Sequence, residues 1–205
     1  GDTSSYATNI NNLGQIVGSR SALGYVPTGT GWLYSDTLGL VDLTQYGFWV
    51  IPTGINDNGI IIGSQERLDL NTGIVDVTGG FGPSNYQPIT SIAINNNGMI
   101  AGSAAQLSTS LNIVSVFRYE GSTGWRFIAG SSRYTTASSI NNRGDIGYGE
   151  LGPGLYLDGL GTFALRGLLD PAFTAVGWAI TGSSPKINDQ RVVAHSLTVE
   201  MSDEL

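Results

Sequence analysis

The chain has 205 residues, enough for one domain or one array with its own core, and carries a net charge of −7 with a pI near 4.4. Nine scattered Lys and Arg residues cannot build the clustered basic surface that nucleic acid needs, and no apolar run approaches the length of a membrane-spanning helix. Absence of cysteine excludes disulfides, thiolate metal sites and thiol nucleophiles, while 30 glycines and only 12% charged residues point to a turn-dense β protein.

In chain order, the first recognisable unit is an apolar strand from Tyr6 to Ile10, a polar turn from Asn11 to Gly14, and a second strand from Gln15 to Ser19. Asn and Asp tolerate positive φ and bond their own backbone, and Gly takes positive φ freely, so this turn specifies a tight hairpin. Two further strands follow, Gly31–Ser35 and Leu40–Leu43. The turn then returns as Ile55-Asn56-Asp57-Asn58-Gly59, as Ile94-Asn95-Asn96-Asn97-Gly98 and as Ile140-Asn141-Asn142-Arg143-Gly144. A fifth version, Ile187-Asn188-Asp189-Gln190-Arg191, lacks the glycine. The isoleucines step by 45, 39, 46 and 47 residues (55−10, 94−55, 140−94, 187−140).

Such self-similarity marks an array of one supersecondary unit. Ile16, Ile61, Ile100, Ile146 and Val193 all lie six residues beyond the motif isoleucine, which predicts one shared inward face. Gly18, Gly63 and Gly102 recur on the second strand, where the fourth and fifth copies have Tyr148 and His195; a strand glycine marks a bulge or a close backbone approach. Behind the third hairpin lie Val114–Tyr119 and Gly124–Ile128, and behind the fourth Gly154–Leu157 and Thr162–Leu165. The second repeat is less clear, with one strand around Ile74–Val77. Four short strands per repeat predict an all-β fold, a β-propeller-like array of about five blades with the last incomplete. The expected repeats run 6–47, 48–88, 89–133, 134–176 and a partial 177–205, in a single domain. The final hairpin is expected to close the array onto the first hairpin, the alternative being that a partner protein covers it.

The run from Ala7 to Ser19, with Trp32 and Val41-Asp42-Leu43 behind it, resembles the bacterial HAF-type extracellular repeat. The hairpin half of the motif covers all five copies, and the Trp and Asp-Leu half fits the first copy best. The resemblance implies an exported protein built as a propeller-like array, and it brings no catalytic residues. A beginning at Gly1-Asp2 without methionine is compatible with that expectation, and the closing Ser-Asp-Glu-Leu reads as an acidic tail.

Candidate chemistry is sparse. The turns offer oxygen ligands, above all Asp57 and Asp189, but they are mostly neutral amides where calcium wants several carboxylates. No metal or other cofactor is expected. His195 is the one histidine, and no nucleophile elbow accompanies it. Asp42, Asp76, Asp145, Glu150, Asp158 and Asp170 do not single out a catalytic pair, and Glu66, Asp69 and Glu120 read as loop charges. The expectation is therefore a protein that is not an enzyme. Aromatic residues are the better lead, because their faces stack on sugar rings and anchor protein contacts. Trp32 and Trp125 sit on repeat strands, whereas Trp49, with Tyr46, and Tyr86 read as belonging to connections and are the candidate ligand-binding residues. The structural motif comprises Asn11, Gly14, Asn56, Gly59, Asn95, Gly98, Asn141, Gly144 and Asn188. The functional expectation is an exported scaffold, a structural or interaction subunit with a protein partner or neighbouring subunit. The alternative is a carbohydrate-binding, lectin-like module, followed by a glycoside hydrolase.

Overall fold

The computed structural model describes residues 2–22, 30–77, 86–106, 113–121, 123–132, 135–149, 152–168, 172, 178–180 and 185–199. Each repeat turn does what its residues dictate. In the first, the Asn11 side-chain oxygen accepts the N–H groups of Leu13 and Gln15, and Gly14 closes the turn at φ +74°. The same Asx geometry recurs in all five copies, with Gly59, Gly98, Gly144 and then Arg191 at positive φ.

Four antiparallel four-stranded sheets result, each taken in chain order. The first holds β1 (Asp2–Ile10), β2 (Ile16–Ala22), β3 (Thr30–Ser35) and β4 (Gly39–Asp42). The second holds β5 (Gly54–Ile55), β6 (Ile60–Gly63), β7 (Glu66–Asp69) and β8 (Ile74–Val77). The third holds β9 (Tyr86–Ile94), β10 (Ile100–Gln106), β11 (Val114–Glu120) and β12 (Gly124–Ser132). The fourth holds β13 (Thr136–Ile140), β14 (Ile146–Gly149), β15 (Pro153–Leu157) and β16 (Gly161–Ala164). The fifth unit is a single interrupted hairpin. Its β17 (Trp178–Ile180) pairs with β20 (Leu197–Val199), and β18 (Lys186–Ile187) pairs with β19 (Val193–Ala194). The less legible second blade is thus complete, and Glu66 and Asp69 lie on its strand β7 rather than in a loop.

The innermost strands β1, β5, β9, β13 and β18 all line one cavity of about 560 Å³, so the five units are arranged about a common axis. Each sheet uses its two faces differently. In the first, Val17 and Leu33 point toward the second sheet and join Leu43, Phe48, Ile55, Ile61 and Leu68 in one buried cluster. Burying each of these side chains stabilises the fold by about 2 kcal/mol. The cluster joining the third and fourth sheets contains Ala101, Val116, Ile146 and Tyr156, and the one joining the fourth sheet to the last hairpin contains Leu155, Leu165 and Ile187.

The glycines of the second strands serve both expected purposes. Opposite Gly18 the partner strand bulges between Ala7 and Asn9, and a Cβ on Gly18 would meet Trp32 at 2.1 Å and the Tyr6 carbonyl oxygen at 2.4 Å. A Cβ on Gly63 would lie 2.3 Å from the Ile51 carbonyl oxygen.

The last hairpin, expected to close onto the first, is tied to the fourth unit, through Ser138 and Ser139 to the Pro185 carbonyl and through Asn141 to the Asn188 carbonyl. The turns couple each unit to its sequence neighbour.

Candidate functional site

The repeat turns form a directional ladder along one rim of the array. Asn11 Nδ2 donates to the Asn56 carbonyl (2.9 Å), Asn56 to Asn95 (3.0 Å), Asn95 to Asn141 (2.8 Å) and Asn141 to Asn188 (2.8 Å). A second rail runs beside it. The N–H of Asn12 donates to Asp57 Oδ1, that of Asp57 to Asn96 Oδ1, that of Asn96 to Asn142 Oδ1, and that of Asn142 to Asp189 Oδ1. Third-position side chains add a further rung, from Asn58 to the Asn96 carbonyl, Asn97 to the Asn142 carbonyl and Arg143 to the Asp189 carbonyl. Both Asp57 oxygens are used as acceptors, Oδ2 taking Asn12 and Asn96 Nδ2, and these bonds hold its carboxyl below the usual carboxylate value. The motif asparagines are thus the couplings between blades.

One sheet face stands apart from this pattern. Strand registers align the row Ile10, Ile16, Tyr34, Leu40 in the first blade with Ile55, Ile61, Leu68, Val75 in the second. The second-blade row is packed against its predecessor, with Ile55 4% exposed and Ile61 and Leu68 at 0%. In the first blade Ile10 is 62%, Tyr34 40% and Leu40 67% exposed. Ser5, Ile16, Arg20, Trp32, Tyr34 and Leu40 line a groove of about 390 Å³ there, with Arg20 paired to Asp42 at its margin.

The axial cavity is the other concavity. Thr8, Asn9, Thr53, Ser138 and Ser139 give it a polar wall, and Lys186, the one lysine in the chain, stands among them. Lys186 Nζ donates to the Ser138 carbonyl.

The predicted aromatic residues do not converge. Trp49 is 66% exposed, its backbone N–H held by Glu66 at 3.0 Å. Tyr46, three residues earlier, instead packs half-buried against the first core cluster. Tyr86 is not in a connection but is the first residue of β9, and its side chain lies outside the described residues. Trp32 lies over Gly18, and Trp125 stacks on Phe117 at 4.2 Å between ring centroids.

The carboxylates are engaged within the sheets. Asp145 is fully buried and takes Arg191, Asn141 Nδ2 and the Asp158 N–H. Asp158 pairs with Arg118 at 3.0 Å and accepts from Tyr156, and Glu120 pairs with Arg118 at 2.8 Å. Asp42 caps the short 3-10 turn of residues 43–46. Side chains of Asp76, Glu150 and Asp170 lie outside the described residues. His195 is half-buried with Nδ1 2.7 Å from the Ser196 carbonyl. Among the described residues no cluster of acidic and histidine side chains could hold a metal ion, and no helix is long and apolar enough to cross a membrane.

Of the open row, sequence singled out Ile10 and Ile16 as repeat positions but not Tyr34 or Leu40, and it did not single out the axial lysine. The six-residue offset from the motif isoleucine did mark a repeated face. What it could not show is that Ile10, Tyr34 and Leu40 of the first instance are exposed among the described residues.

Neither a family model nor a curated protein matches the chain. Among solved structures, an oligogalacturonate lyase from Vibrio parahaemolyticus superposes with a TM-score of 0.61 over 97% of this chain, at 11% identity. The fold is a β-propeller. This chain spans 59% of the lyase's length, and at that identity the likeness concerns architecture alone.

Proposed function

We propose that this propeller is a non-enzymatic, exported scaffold, a structural or interaction subunit that meets its neighbour through the outward face of the first blade. The observation that carries the reading is the exposed row Ile10, Tyr34 and Leu40, whose counterparts in the second blade are buried or half-buried. An apolar sheet face of this kind, rimmed by the Arg20–Asp42 pair, is typical of an interaction surface. Pairing of Asp145, Asp158, Asp42 and Glu120 with arginines supports the non-enzymatic part, because each carboxylate is held in an ion pair within the sheets. Export rests on the likeness of the repeat to extracellular ones.

A photo-cross-linking residue at Leu40, with one at the equally exposed Leu160 as control, tests the reading in the producing cell. A discrete adduct from position 40 and none from 160 is expected. No adduct from 40, or the same adducts from both, would sink it.

A carbohydrate-binding role is the second reading, favoured by the exposed Trp49 and by the hydroxyl-lined axial cavity with Lys186. The lyase with the same architecture acts on a sugar polymer bearing carboxylates, which an ammonium group would suit. Titration with oligogalacturonate, followed by indole fluorescence, should then give a saturable change that Trp49→Ala or Lys186→Met weakens. A flat titration would remove this reading.

A further inference from the structure

We infer that the occupant of the first blade's open face is another β-blade with the same Asn-rich turn, which would extend the ladder by one rung. This rests on the interaction reading above and names the partner's chemistry. The first turn presents the acceptors that each later turn uses to receive its predecessor. The Asn56 carbonyl accepts its own Gly59 N–H and also Asn11 Nδ2, whereas among the described residues the Asn11 carbonyl accepts only its own Gly14 N–H. Among the described residues nothing donates to the Asn12 side-chain oxygen or carbonyl, although the matching atoms of Asn96 and Asn142 each take a donor. An incoming turn would place its first amide on the Asn11 carbonyl, its second N–H on Asn12 Oδ1 and its third side chain on the Asn12 carbonyl.

The apolar half of the contact is equally specific. At the junction of the first and second blades, a row of the kind Ile55, Ile61, Leu68 is covered by a neighbour's Val17, Leu33 and Leu43. The occupant must therefore carry apolar side chains at those three positions. A second copy of this chain does not offer them. Its first, third and fourth blades already turn that face toward the next unit, and among the described residues its fifth hairpin shows no third strand to carry a counterpart of Leu33.

The chain contains no cysteine, so one introduced thiol reports cleanly on cover. Leu40→Cys in the present chain should react rapidly with a maleimide. A variant with a second copy of residues 2–46 joined ahead of Asp2 presents a blade of the required kind at the natural repeat spacing. In that variant the original Leu40→Cys should react more slowly by about tenfold or more, because labelling then needs local opening. Changing Asn11 of the added copy to Ala should restore much of the rate, while a thiol at Leu160 stays fast throughout. Unchanged labelling in the duplicated chain, whether the added copy folds elsewhere or not at all, overturns the inference. So does slow labelling of the unduplicated chain that speeds up on dilution, since that would make a second copy the occupant. Protection in the duplicated chain with no cross-link at position 40 in the cell would instead sink the interaction reading and leave this one standing.

Discussion

Arg191 shows how a turn works without its glycine. It holds φ +63°, a conformation that costs a non-glycine residue about 1–2 kcal/mol. From there its guanidinium reaches back across the junction and grips buried Asp145 through both oxygens, at 2.9 and 3.1 Å. The loss of glycine in the fifth copy and the Asp after Gly144 in the fourth are therefore one substitution spread over two repeats. Burial raises the Asp145 carboxyl's pKa, but the bonds from Arg191, Asn141 and the Asp158 N–H, with the Arg191 charge, outweigh it and leave it below the ordinary 3.8. A folded-state value below the unfolded one stabilises fully above about pH 4 and less as pH falls through the folded value. Asp145→Asn should therefore flatten the acid limb of stability against pH, measured by urea unfolding. Asp145→Ala should lower stability at pH 7 by about 3 kcal/mol, because it strands buried donors and removes the ion pair. In the ladder, Asn56→Ala loses the Asn95 bond and orphans the N–H groups of Asn58 and Ile60, a cost of about 3 kcal/mol. Asn56→Asp keeps those two acceptor bonds but turns an oxygen on the Asn95 carbonyl, so its deficit should shrink as the pH is lowered. A deficit independent of pH would show that the Nδ2 rung contributes little.

Within a blade, the recurring device is an aromatic ring laid across a facing glycine. Gly18 pairs with Trp32 and Gly102 with Phe117, while in the fourth blade Tyr148 pairs with Gly154. Tyr148 occupies the place of the repeat glycine in sequence, and the glycine has moved to the opposite strand. A Cβ on Gly154 would lie 2.4 Å from the Tyr148 ring. Gly18→Ala should cost about 2–3 kcal/mol through overpacking. Trp32→Ala in the same chain should recover part of that loss, and the part that remains reports the Tyr6 carbonyl contact; a strictly additive double variant would exclude the pairing. This arrangement also marks where sequence stops being readable. Period, turn chemistry and the six-residue offset placed the hairpins, because each is a local property of Asn, Gly and alternating apolar residues. Strand β7, Glu66–Asp69, escaped because Glu, Arg and Asp occupy three of its four positions and only Leu68 is apolar. The ladder escaped as well, since its rungs join residues 39 to 47 positions apart through side chains that read as ordinary turn formers.

Across the whole array, each unit leans on its sequence neighbour, so stability should behave as a sum of units and junctions rather than as one closed ring. Removing residues 186–205 should weaken hydrogen-exchange protection in β13–β16, where Asp145 and the Asn141 amide lose partners, and leave β1–β4 unchanged. Equal loss in the first blade would show that the ends communicate. The ladder has one more effect, on where the chain tolerates change. It fixes the rim that carries the Asn turns, each of which spans the same number of positions between paired strands. At the opposite rim the second and third strands of successive blades are separated by residues 23–29, 64–65, 107–113 and 150–152, lengths that differ several-fold. The ladder that aligns neighbouring blades is built by the Asn turns of the other rim. A peptide grafted there would hang from a frame whose registration it cannot disturb, which makes that rim a display platform with independently addressable positions.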